Sequence, residues 1–281
     1  MSLRSILVHL DSSRHAQARV DTAAALALQY DAHLIGLAPT GWMVMPAESV
    51  AAAALAMYEE TALRLLREAA QARIDDFRQQ VQRLGVPSYE TRMAVGYAGE
   101  AMALAARYCD LTVVTQNDPD EVRAEQSPQM AQDVLLQSGR PLLVLPYAGE
   151  WTIAPPRRVL VGWNASREAA RAMHDALPFL RKASNVQVAV FETPEDVGMA
   201  HGDVPGADIG LWLARHGVKV DVKHVPAKVA AGEALLSHAF DINADLIVTG
   251  GYGHSRFRES ILGGVTRTLM RSSPVPVLMS H

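Results

Sequence analysis

The chain states its pattern twice. Ile6-Leu7-Val8-His9-Leu10-Asp11, followed by Ser12-Ser13-Arg14, returns 153 residues later as Val159-Leu160-Val161-Gly162-Trp163-Asn164 followed by Ala165-Ser166-Arg167. Each is an apolar run that ends in a helix-start signal. Ala98-Gly99-Glu100-Ala101 returns at residues 231–234, Asp110-Leu111-Thr112-Val113-Val114 at 245–249, and Pro141-Leu142-Leu143-Val144-Leu145 at 276–280. The later offsets are 133 and 135, so order is kept while the first half carries about twenty extra residues in one place. The pattern implies a duplicated unit, which we divide at residues 1–150 and 151–281 with a linker over residues 151–156.

Within each half, short Val/Ile/Leu-rich runs alternate with helical segments. Strands are expected at residues 5–10, 33–38, 89–94, 111–116 and 141–145, then at 157–163, 185–191, 218–224, 245–250 and 275–279. Strands that are apolar on both faces require a parallel sheet covered by helices, so the fold class is α/β with two doubly wound five-stranded units. A ligand then sits beyond the carboxyl ends of the strands, where strand order reverses. The surplus of the first half falls on residues 48–85, whose Ala, Leu, Arg, Glu and Gln at helical spacing predict one long amphipathic helix. It covers its own sheet or, alternatively, contacts a second chain as a homodimer.

Composition narrows the function classes. At 281 residues, 49% apolar and 20% charged, the chain belongs with folded globular proteins. A formal charge of −4 argues against covering a phosphate backbone, so neither a nucleic-acid nor a membrane partner is expected. The single cysteine, Cys109, forms no internal disulfide and suits a reducing compartment. No run of 18 uncharged apolar residues occurs, and a cytoplasmic location is expected. Ten histidines contain no His-x-x-x-His pair, so no metal site is assigned.

The segment richest in chemistry is Thr249-Gly250-Gly251-Tyr252-Gly253-His254-Ser255-Arg256, continuing through Glu259 to Leu262-Gly263-Gly264-Val265-Thr266. It follows a strand and opens a helix near Gly264. Glycines there let backbone amides approach an anion, and the helix start favours negative charge. The same glycines also suit plain turns between strand and helix. A dinucleotide fingerprint fails at Arg256, a Walker loop lacks its lysine, and a hydrolase nucleophile elbow fails at Phe257.

Gly250-x-x-Gly253, nine residues and then Gly263 resembles the nucleotide-binding signature of universal stress proteins, and the whole plan resembles their tandem form. The resemblance implies Rossmann-like domains of the adenine nucleotide alpha hydrolase-like kind, paired as a pseudo-dimer within one chain through their last strands. It implies ATP, with or without Mg, between the ends of the first and fourth strands of the second half. Carried over by position, Gly162, Trp163, Asn164 and Ala165 border adenine and ribose, and Val190 lines the base pocket. Gly250, Gly253, His254, Gly263, Gly264, Val265 and Thr266 cradle the phosphates. Asn164 stands where the family often has Asp, and Gly264 where it often has Ser or Thr. Trp163 is open between stacking on a base and packing.

The first half keeps Asp11 but replaces the glycines by Thr115-Gln116-Asn117-Asp118-Pro119-Asp120-Glu121, whose three carboxylates repel a phosphate. An empty first site is expected. The functional expectation is a stress-response regulator that holds an adenine nucleotide and meets an unidentified protein partner. A weak hydrolase or phosphotransferase, and a scaffold whose cleft holds another small ligand, are the alternatives. No catalytic residue is assigned. Asp110 and Asp245 occupy matching strand entries, which suits a structural role better than catalysis.

Overall fold

The computed structural model describes residues 2–41, 52–121, 129–149, 151, 155–192, 206–252 and 264–281. Gly253, His254 and Gly263 lie outside the described residues, as do Ser255, Arg256 and Glu259.

The order of elements in the first half is β1 (Ser5–His9), α1 (Ala16–Tyr30), β2 (His33–Pro39), α2 (Ala52–Arg83), β3 (Tyr89–Ala94), α3 (Ala98–Ala106), β4 (Leu111–Thr115), α4 (Met130–Ser138) and β5 (Leu142–Leu145). The second half continues with β6 (Arg158–Gly162), α5 (Arg167–Leu180), β7 (Asn185–Glu192), α6 (Ala207–Arg215), β8 (Val220–Pro226), α7 (Ala231–Asp241), β9 (Leu246–Gly250), α8 (Gly264–Ser272) and β10 (Val277–Ser280). All ten strands form one sheet in the order β3-β2-β1-β4-β5-β10-β9-β6-β7-β8. Pairing is parallel except at the centre, where β5 meets β10 antiparallel with Leu143 opposite Leu278. The sheet therefore joins two equivalent five-stranded halves through their last strands.

Each expected strand is present, and the largest displacement is instructive. β8 begins at Val220 rather than at Val218 because α6 ends in a left-handed Gly217 at φ 79°, and Val218 N donates back to Leu213 O at 3.1 Å. Val218 thus closes the helix instead of opening the strand.

Two buried layers flank the sheet. On one side Phe77 of α2 and the apolar stripes of α1 and α5 cover β1, β2, β6 and β7. The other side is covered by α3, α4, α7 and α8. A side chain at Gly36 would lie 2.9 Å from Phe77, so this glycine is what lets α2 seat on β2. The long helix covers its own sheet through Ala70, Ile74, Phe77 and Val81. The repeated Ala-Gly-Glu-Ala segment has a packing cause as well. Gly99 lets α3 approach Asp133 of α4, and Gly232 lets α7 approach Thr268 and Val265 of α8.

The matched aspartates hold the strand entries together. Asp110 Oδ2 accepts from Arg4 N at 2.8 Å and Ser5 N at 3.0 Å, and Asp245 Oδ2 accepts from Arg157 N and Arg158 N, both at 2.8 Å. Cys109 is buried, which pushes its thiol up to about 11 and leaves it inert. Among the described residues no helix is long and apolar enough to cross a membrane.

Candidate functional site

β6 pairs with β7 on one side and with β9 on the other, so the strand order reverses between β6 and β9. The parallel-sheet rule places a ligand beyond their carboxyl ends. β1 and β4 make the matching point in the first half.

Beyond β6 the chain turns through Trp163, Asn164 and Ala165 into α5. Asn164 Oδ1 accepts from Ser166 N at 3.2 Å and from Ser166 Oγ at 2.7 Å, and Ser166 Oγ accepts from Ala169 N at 3.1 Å to cap the helix. Asp11 builds the same turn in the first half, accepting from Ser13 N at 3.0 Å and Ser13 Oγ at 2.6 Å. The Asp-to-Asn exchange therefore preserves local geometry and removes a charge. Ala165 is exposed and takes φ 57°, a left-handed conformation that an alanine rarely adopts. Trp163 is half-buried, packs on the core and donates its amide to Ala189 O at 3.0 Å. Val190 is fully buried on β7, below Gly206 at the start of α6.

The glycines after β9 divide by what surrounds them. A side chain at Gly250 would stand 2.5 Å from Ala169 N and 2.6 Å from Glu168 C, so the first turn of α5 rests directly on this residue. At Gly251 it would stand 2.6 Å from Leu135 of α4, in the other half. At Gly264 it would meet no described residue within 4 Å. Tyr252 is left-handed at φ 59°, and its amide donates to Thr266 Oγ1 at 3.1 Å, which ties the strand exit to α8. Thr266 is buried and Val265 half-buried, whereas Gly264 is exposed.

Glu168 is buried beside this turn and paired with Arg167. Burial raises its carboxyl, but hydrogen bonds from Arg167 and from its own amide outweigh that and hold it below the usual carboxylate range.

The first half fills the matching space with its own side chains. Arg19 of α1 is buried and donates to His9 O at 2.8 Å, Thr115 Oγ1 at 3.0 Å and Asp11 Oδ1 at 2.6 Å. Asp118, also buried, accepts from Arg14 Nε at 2.9 Å and lies 2.7 Å from His15 Nε2, while Glu121 accepts from Arg14 N at 3.0 Å. Of the carboxylates expected to repel a phosphate, Asp118 is thus engaged by the Arg14 and His15 side chains and Glu121 by a backbone amide. At aligned positions, His9, Arg19 and Thr115 become Gly162, Ala172 and Gly250, while Asp11 becomes Asn164 and Arg14 is kept as Arg167, so the second half lacks the buried guanidinium at the centre of this plug.

Sequence reasoning missed Arg19. Its signal was present, since Arg19 is in helical phase with Ala23 and Leu26 on the buried face of an alanine-rich helix. A guanidinium on that face requires buried acceptors.

The sequence model of the Universal stress protein family matches residues 2–146 and again residues 156–281. The chain belongs to that family. This tandem universal stress protein is 33% identical over 66 residues, 24% of its length, to the universal stress protein Slr1230 of Synechocystis sp., and the match spans 22% of that relative. Its fold superposes on a universal stress protein from Archaeoglobus fulgidus DSM 4304 with a TM-score of 0.73 at 17% identity, covering 98% of this chain and 97% of that one. A functionally unknown protein from Pseudomonas aeruginosa PAO1 superposes with a TM-score of 0.63 at 16% identity over 99% and 92%. At these identities the superpositions establish a shared fold.

Proposed function

We propose that this universal stress protein binds ATP or a related adenine nucleotide in its second half, residues 151–281, and that occupancy there governs how it meets a protein partner in a stress response. The observation that carries this reading is the asymmetry at the strand ends. A buried Arg19–Asp11 pair closes the space beyond β1 and β4, whereas Gly162, Ala172 and Gly250 stand at the same positions of the second half. The residues fit the group at the start of α8. No described residue crowds Gly264, which leaves the first-turn amides approachable by a phosphate. Asn164, Trp163 and Val190 would face the nucleoside, and Gly264, Val265 and Thr266 the phosphates, with Gly253, His254 and Gly263 assigned by position in the signature. Mg would offset phosphate charge when bound. Residues 1–150 act on this reading as the pairing partner of the second half.

A second reading has its own support. Gly250 and Gly251 are explained by packing on α5 and Leu135, so two glycines of the loop need no ligand to account for them. On that reading the chain is a scaffold without nucleotide. Calorimetric titration with ATP separates the two. The nucleotide reading expects one site per chain, abolished by Gly264→Asp, which sets a carboxylate at an exposed helix start without crowding any described residue. Absence of binding to the wild-type chain supports the scaffold.

A further inference from the structure

A cavity of about 690 Å³ opens where the two halves meet, between the start of α4 and the exposed side of α8. Its wall takes Gln129 and Gln132 from α4, Tyr147 after β5, and Tyr252, Arg267 and Arg271 from the second half. This volume suits a small ligand.

Among the described residues the wall carries positive charge and no carboxylate. Arg267 and Arg271 stand one turn apart on α8, and neither has an ion-pair partner among the described residues. Across the cavity lies the amino-terminal end of α4, where Gln129 provides no side-chain cap for the first-turn amides. A helix start and its dipole favour an anion there. The acid in that first turn, Asp133, packs against Gly99 of α3. The hydroxyl of Tyr252, on the same wall, is buried and makes no hydrogen bond among the described residues.

The duplication explains how such a site can exist in one chain. Residues aligned with Arg267 and Arg271 in the first half are Gln132 and Leu136, and Gln132 faces Arg267 across the cavity. A symmetric dimer would place two arginine pairs against each other. One covalent chain can charge one wall and leave the other neutral.

We propose that the cleft between α4 and α8 binds a small, multiply charged oxyanion, held by the Arg267 and Arg271 guanidinium groups and the first-turn amides of α4. Planar guanidinium groups match the oxygens of phosphate and carboxylate alike. The α8 lining of the cleft runs from Arg267 to Ser272 and does not include Gly264, Val265 or Thr266, the residues of that helix proposed to hold the nucleotide phosphates.

The test is calorimetry on the full chain at fixed ionic strength, with pyrophosphate and citrate as probes to distinguish phosphate-bearing from polycarboxylate ligands. Binding of either probe, weakened at least tenfold by Arg267→Gln with Arg271→Gln, is expected. Both arginines are exposed, and unchanged thermal unfolding of the double variant verifies its fold. The probe should still bind in the presence of saturating ATP, and the double variant should keep any ATP binding of the wild-type chain. Failure of both probes to bind, full binding by the double variant, or displacement of the probe by saturating ATP overturns the proposal. A chain that takes the probe but no ATP retains this site and refutes only the nucleotide reading.

Discussion

Arg19 Nη2 lies 2.6 Å from Asp11 Oδ1, with both side chains nearly shielded from water, and this pair occupies the position that corresponds to the proposed ligand cleft of the second half. Truncating one partner leaves the other charge buried and uncompensated. Arg19→Ala should therefore destabilise the chain by about 3–5 kcal/mol in urea denaturation. Adding Asp11→Asn should recover part of this loss, because Asn164 already builds the same turn without a charge opposite it.

His9 makes the first half sensitive to acid. Burial, above all, holds its imidazole down to about 4 from 6.5; Asp11 opposes this, while Arg19 and Arg73 reinforce it. Between those two values the unfolded chain binds a proton that the native chain refuses, so stability rises with pH across that window and is flat above it. The contribution lost on acidification from pH 6.5 to 4 is on the order of 3 kcal/mol. Urea midpoints measured at pH 4.5, 5.5 and 7 should show this slope, and His9→Gln should reduce it.

Glycines of one signature should respond oppositely to a methyl group. Gly250→Ala drives a Cβ into the backbone of Ala169 and Glu168 and should cost at least about 1–3 kcal/mol. Gly264→Ala enters open space at a helix start and should change stability by less than about 0.5 kcal/mol. Differential scanning calorimetry of the two variants checks the contrast.

Gln116 fastens the halves to each other. Its Nε2 donates to Leu269 O at 2.9 Å and Ser273 O at 3.1 Å, so a first-half side chain satisfies the carboxyl-terminal carbonyls of α8. Gln116→Ala strands the Ser273 carbonyl, while Leu269 O keeps the Ser273 amide at 3.2 Å, and should cost about 1–3 kcal/mol. Amide hydrogen exchange should accelerate in the last turn of α8 and leave α1 unchanged.

The fold was legible because its strands are apolar on both faces and repeat in order, so period and duplication alone specify ten strands and their layers. The β5–β10 junction required the family resemblance, since nothing within either strand states its antiparallel partner. The site was legible only in part. Asn164 and Thr266 could be picked out by position, but their hydrogen bonds to Ser166 and Tyr252 depend on tertiary placement. Gly250 reads in sequence as an approach for a ligand, yet the approaching backbone is that of α5. The cleft bordered by Arg267 and Gln132 belongs to neither half alone, so reading each half separately could not reveal it.

The central claim is that one half is open to an adenine nucleotide and the other closed. Hydrogen exchange read by mass spectrometry, with and without saturating ATP, tests it most directly. The account predicts new protection confined to residues 158–166 and 246–272, with residues 5–15 and 111–121 unaltered. Protection around Asp11 and Thr115, or none in either half, would contradict it.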